Sequence, residues 1–164
     1  MARLNTDPKV GRMVRMAVLI AIIVLLAFTP LGYLVIGPIA ATTIQMPVII
    51  GAVLLGPGAG AFLGGVFGLS AIVKVLTMPG ADVFATAVLT YSPLGYLFIC
   101  FVPRILMGWL SGLLAKFLGR VLGEKRSIIT YGVTGLVGSM LNTVLYLGAL
   151  WALAAEVVAQ SYGV

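Results

Sequence analysis

Arg104 and Asn142 offer the most chemistry in this chain, because each stands in sequence that is otherwise apolar. A guanidinium presents a planar fork that can meet a carboxylate with two parallel hydrogen bonds. Asn142 offers donors and an acceptor together, and at helical spacing it shares a face with Ser139 and Tyr146. Thr42, Thr43 and Gln45 cluster just ahead of Pro47, where a helix is expected to begin, and Lys74 lies near the end of another apolar run. These groups suit holding a small anionic, hydrogen-bonding solute. They do not suit transforming it. The chain has no His, no HExxH and no pair of neighbouring carboxylates, so acid–base catalysis has little to work with. Its single Cys100 excludes an internal disulfide, and without GxxxxGK[ST] there is no phosphate cradle for ATP.

Each residue also has a purely structural reading. Arg104 could satisfy itself on backbone carbonyls, and Asn142 could serve as glue between helices. Thr42 or Thr43 could simply cap a helix, and Lys74, about one turn from an outer helix end, could snorkel to water. Arg104 is expected about 12 Å inside the bilayer, where a charge needs a partner or a wet cavity.

The elements that must position these groups follow from charge and hydropathy. The 164 residues are 62% hydrophobic and only 9% charged, with a mean hydropathy of +1.21. A soluble domain is about 25% charged, so this is an integral membrane protein. Eight of the ten basic residues fall in two clusters, Arg3–Arg15 and Lys116–Arg126. The net charge of +6 fits loops that meet anionic headgroups and gives no reason to invoke nucleic acid. Met16 to Val73 carries no charge over 58 residues. As helix that would be about 87 Å, so it must cross a hydrocarbon core of about 30 Å more than once.

Breakers divide the chain into helices over about 12–29, 43–55, 59–76, 95–118 and 128–153, the second of them short. Gly56-Pro57-Gly58 is a tight turn, and Pro30–Thr42 and Thr77–Ser92 are loops. Although the N-terminus starts basic and then apolar, no small-residue cleavage site follows, and the segment is expected to remain as the first helix. The fold class is therefore an all-α membrane bundle of five transmembrane helices, one domain over 1–164. Four crossings separate the basic clusters, so both fall on one side, which the positive-inside bias makes cytoplasmic. Small residues recur at four-residue spacing in Gly56, Gly60, Gly64 and Gly68, in Ala17 and Ala21, and in Gly108 and Gly112. That spacing keeps one helix face slim enough for close helix approach.

Several of these stretches carry a resemblance. They are Thr43-Ile-Gln-Met-Pro-Val-Ile-Ile-Gly-Ala-Val-Leu-Leu-Gly-Pro-Gly-Ala-Gly, the following Ala61-Phe-Leu-Gly-Gly-Val-Phe-Gly, Phe101-Val-Pro-Arg-Ile-Leu-Met-Gly-Trp-Leu-Ser-Gly, and Gly138-Ser-Met-Leu-Asn-Thr. Together with Ala17 and Ala21, they resemble the substrate-binding S components of energy-coupling factor (ECF) vitamin transporters over most of Met13–Leu150. The pantothenate-type branch is the most similar. The resemblance implies six helices, so this sequence would either be part of a longer chain or lack the final helix. It implies capture of a vitamin in an outward pocket capped by the first and third external loops; depth and side-chain chemistry, independently, make Arg104, Asn142, Gln45, Thr43, Lys74 and Tyr146 the candidate binding residues. It also implies docking through Ala17 and Ala21 on a membrane coupling subunit that works with two cytosolic ATPase subunits. No cofactor or metal is implied. Gln45 stands where the family pattern TxxHIPV would have His.

The sequence reading is thus a multi-pass protein of a prokaryotic cell membrane, N-terminus cytoplasmic, that captures a vitamin for an ATP-driven importer and is not an enzyme. Pantothenate is the leading substrate, with folate, riboflavin or pyridoxine as alternatives. A membrane assembly subunit without a ligand, or a small membrane enzyme, are rivals from other classes. The topology is checkable by itself. A cysteine introduced at Ala81 should react with an impermeant thiol reagent in intact cells, while one at Gly123 should stay protected. Labelling at Gly123 and protection at Ala81 would reverse the whole assignment.

Overall fold

The computed structural model describes residues 7–29, 32–36, 39–78, 89–90, 92–122 and 127–162. Most of the Thr77–Ser92 loop and the 123–126 part of the second basic cluster lie outside the described residues. The longer helices among the described residues follow the expected order: α1 Pro8–Phe28, α2 Gln45–Leu55, α3 Pro57–Thr77, α4 Pro93–Leu122 and α5 Ser127–Tyr162. Four of them, all but α2, contain stretches long and apolar enough to cross a membrane. With 11 residues, α2 reaches only about 16 Å, roughly half a hydrocarbon core. Before it stands an antiparallel ribbon, β1 Tyr33–Ile36 paired with β2 Ile39–Thr42. The breakers predict plain loop over Pro30–Thr42, and the structure pairs Tyr33–Ile36 with Ile39–Thr42 instead. The ribbon continues toward α2 through Thr43, whose N–H donates to the Gly32 carbonyl at 3.0 Å.

Glycine and proline set the boundaries. Gly56 closes α2 at φ 94°, in the region that L side chains resist. Pro57 then opens α3, where its missing N–H costs no helix hydrogen bond.

In hydrocarbon, lipid tails are as apolar as Leu, so helices gain by close van der Waals contact more than by hiding surface. The α3–α4 pair does this through backbone. A Cβ at Gly60 would run into the Gly108 carbonyl, one at Gly64 into the Arg104 carbonyl, and one at Gly68 into the Cys100 carbonyl. Three glycines four residues apart on α3 therefore lie against three residues four apart on α4, running in opposite directions. The spacing predicts this packing, and its partner is α4. At the near end, Gly112 sits against Pro57. The remaining core gathers around the seam. Leu19, Ile23 and Ala27 on one stripe of α1 meet Ile44, Val48 and Ile49, Leu63 and Phe67 on α3, and Met107 on α4.

Both basic clusters reach the same end of the bundle. Arg12 on α1 donates to the Leu55 carbonyl at the end of α2 at 3.4 Å. Lys116 on α4 lines a cleft with Gly56, Pro57 and the opening residues of α5. The helices from α1 to α4 thus alternate in direction and bring both clusters to one end, as the charge pattern requires, although α2 is too short to cross by itself.

The seam makes a specific demand. Gly108→Ala should lower the thermal midpoint in detergent or nanodiscs, at a cost of about 1–3 kcal/mol, because the added methyl meets backbone that cannot swing aside. Gly132→Ala, with nothing within 4 Å of the new Cβ, should be neutral or gain up to about 1 kcal/mol in helix propensity. Equal midpoints for the two variants would show that the seam is not close-packed.

Candidate functional site

Gln45 is the first residue of α2 and lies at the end of that helix away from the basic clusters. Its half-buried side chain bridges to α5. Gln45 Nε2 donates to Ser139 Oγ at 2.6 Å, and Asn142 Nδ2 donates to Gln45 Oε1 at 3.0 Å. Three polar residues from two helices therefore close one network inside an apolar bundle. Ser139 and Asn142 are three apart on α5 and share a face, and glycine at 138 helps α5 approach, since a Cβ there would press on Ser111 and Ile49. The network keeps bonding capacity in reserve. Ser139 still has its O–H, and Asn142 its carbonyl oxygen and a second N–H, so a ligand could be met by donors and acceptors alike.

Arg104 forms a second group. It lies eleven residues into α4, about 16 Å from the start of that helix, deeper than the sequence estimate because α4 begins earlier than expected. Its Nη1 donates to the Cys100 carbonyl at 2.8 Å, and its guanidinium carbon sits 4.5 Å from the centre of the Phe67 ring. Pro103 beside it leaves the Ile99 carbonyl without the usual helix bond. The guanidinium thus sits over an aromatic face, and only one of its five N–H groups goes to Cys100. Phe67 is 1% exposed. Nothing in the sequence pairs Phe67 with Arg104, because their separation closes only through the α3–α4 seam.

The other candidates are placed individually. Thr43 is half-buried, and its carbonyl accepts the Met46 N–H at 3.0 Å. The N-cap of α2 is Ile44, with no side-chain capping bond, so the capping reading of Thr42 and Thr43 is not what the structure shows. Lys74 stands half-buried in the last turn of α3, and Tyr146 half-buried one turn beyond Asn142. On α1, Ala17 and Ala21 are exposed on the face opposite the Leu19–Ile23–Ala27 stripe. There they line a shallow apolar groove with Val24, Leu25 and Phe28.

The comparisons with known proteins agree with this architecture. A family model described as "ECF transporter, substrate-specific component" matches residues 11–161. The chain is 37% identical over 121 residues to the pantothenic acid transporter PanT of Lactococcus lactis subsp. cremoris, covering 70% of this chain and 58% of the relative. It is 32% identical over 119 residues to the pantothenate transporter PanT of Leuconostoc mesenteroides, covering 73% of this chain and 54% of that relative. The chain thus spans little more than half the length of these two relatives.

The bridge between α2 and α5 can be measured. Gln45→Leu should leave Asn142 unpaired and cost roughly 1–3 kcal/mol of stability. The double variant Gln45→Leu/Asn142→Leu should lose clearly less than the sum of the two single losses, because neither partner is then stranded. Strictly additive unfolding energies would mean the two amides do not interact.

Proposed function

The chain belongs to the family of substrate-specific components of ECF transporters, and from that premise we propose that it captures pantothenate at the outer side of a prokaryotic cell membrane for uptake driven by partner subunits. The observation that carries the substrate is the similarity to two pantothenate transporters over about seven-tenths of this chain. Pantothenate is a carboxylate with hydroxyls and an amide. Arg104 supplies a cation, already oriented on Phe67, for the carboxylate. Gln45, Ser139 and Asn142 supply neutral donors and acceptors for the hydroxyls and amide. Thr43, Lys74 and Tyr146 stand toward the outer rim, where a ligand entering from water would meet them.

Capture rather than chemistry is the role that fits. The chain has no His and no nucleotide-cradling motif, so energy must come from ATPase subunits through a membrane coupling subunit. Ala17 and Ala21 are the docking face for that coupling subunit: they are small and exposed, and they sit in an apolar groove that a helix ridge could fill. The N-terminus then faces the cytoplasm with both basic clusters. One observation favours a second reading: Arg104 already has the Cys100 carbonyl and the Phe67 ring as partners, as a structural arginine would.

Calorimetric titration of the purified protein separates the readings. Pantothenate should bind while folate, riboflavin and pyridoxine do not, and Arg104→Lys should weaken it by roughly 1.5–3 kcal/mol, the worth of a charged hydrogen bond. Ala17→Leu should keep that affinity and lose co-purification with the coupling subunit. Unchanged affinity in a folded Arg104→Lys protein would make Arg104 structural and remove the anionic-ligand argument.

A further inference from the structure

Arg104 is held by groups that leave its charge in place. Its Nη1 donates to the Cys100 carbonyl at 2.8 Å, and its guanidinium carbon lies 4.5 Å from the centre of the Phe67 ring. Both of these partners are neutral. A carboxylate in either place would bind the cation more strongly, but it would also compete with any anion arriving from water. A carbonyl and a ring face instead locate the cation, engage one of its five N–H groups and leave its charge unneutralised. Inside an apolar bundle such a charge is costly, and an anionic ligand relieves that cost.

The ring can act as a fixed plate because the core stands behind it. Phe67 is 1% exposed and belongs to one cluster with Ile23 of α1, Val48 of α2 and Met107 of α4, each of them fully buried. Close-packed surroundings allow a ring little room to shift. The α4 side is fixed as well. A Cβ at Gly64, one turn before Phe67, would collide with the Arg104 carbonyl, and one at Gly68, next to Phe67, with the Cys100 carbonyl. The ring, the anchoring carbonyl and the backbone of Arg104 are therefore set by a single helix seam, with no loop between them.

We propose that Phe67 is the residue that makes the pocket select an anion. By holding an unneutralised guanidinium in place, it favours a ligand carboxylate over the same molecule with a neutral group there. Released from the ring, the long arginine side chain would regain rotamers, most of them not aimed at the ligand, and ordering it again would weaken binding. Phe67 acts through Arg104 and is thus a positioning residue. The proposal rests on the reading of Arg104 as the carboxylate's partner and adds to it the source of the selectivity.

Calorimetric titration of the purified full chain with pantothenate and with panthenol, which carries CH2OH in place of the carboxylate, measures that selectivity. The natural chain should prefer pantothenate. Phe67→trifluorophenylalanine nearly keeps the shape of the ring and drains its negative face, so the core stays filled while the hold on the cation weakens. It should lower the preference for pantothenate by about 3- to 30-fold, the scale of a cation–π contact, and leave panthenol affinity unchanged. Phe67→Leu should lose the preference too, and Phe67→Tyr, with its electron-rich face, should keep it. The fluorinated ring decides the matter if Phe67→Leu does not fold. An unchanged preference in the fluorinated chain, together with its loss in Arg104→Lys, would leave Arg104 as the anion's partner and overturn the role of Phe67 alone. Equal loss of both ligands in the fluorinated chain would make Phe67 a packing residue and overturn that role as well. An unchanged preference in Arg104→Lys, or none in the natural chain, would remove the carboxylate contact at Arg104 and the role of Phe67 with it.

Discussion

Close approach of the α3 and α4 backbones is the contact on which the remaining structure depends. Within a bilayer, apolar side chains gain little by leaving lipid for protein, so a bundle is held where atoms can touch most densely. Glycines at 60, 64 and 68 remove every side chain that would keep the helices apart, and α4 answers with Gly108 and with the Arg104 and Cys100 carbonyls. That seam fixes the axial register of α4. With the register fixed, the Arg104 guanidinium arrives over Phe67 rather than over a neighbouring turn.

The short α2 plays a different part. Too short to span, it is placed by the β1–β2 ribbon at one end and by the Gly56–Pro57 turn at the other. Its first residue therefore falls inside the bundle rather than at the headgroups. A polar side chain there must find partners within protein, and Gln45 finds them in Ser139 and Asn142. A neutral amide at this position supplies donor and acceptor at once and carries no proton that changes between pH 5 and 8. In the proposed pocket, recognition by this network would accordingly be a matter of geometry rather than titration.

The two ends of the molecule are chemically distinct for one reason. Lysine and arginine are excluded from the hydrocarbon except where something holds them, so they collect beyond the helix ends. At one end they leave a cationic, hydroxyl-lined cleft. Toward the other, the polar groups are mostly neutral and lie between helices. The proposed capture of a solute on one side, with docking on partners, is served by that asymmetry.

Habitat, helix order and the alternation of direction were legible from residues alone, because hydropathy, breakers and basic clusters act locally or through a simple count of crossings. The fourfold glycine spacing also announced a packed face on α3. It could not name the partner helix, since a small-residue stripe is the same whichever neighbour fills it. Arg104, Asn142 and Gln45 stood out as polar groups in apolar sequence, but their pairing did not. Gln45 lies 97 residues from Asn142, and Phe67 meets Arg104 only because the α3–α4 register brings them level. The ribbon before α2 was hidden by its glycine and proline. Such facts depend on distances between segments remote in the chain, and those distances exist only once the helices have packed.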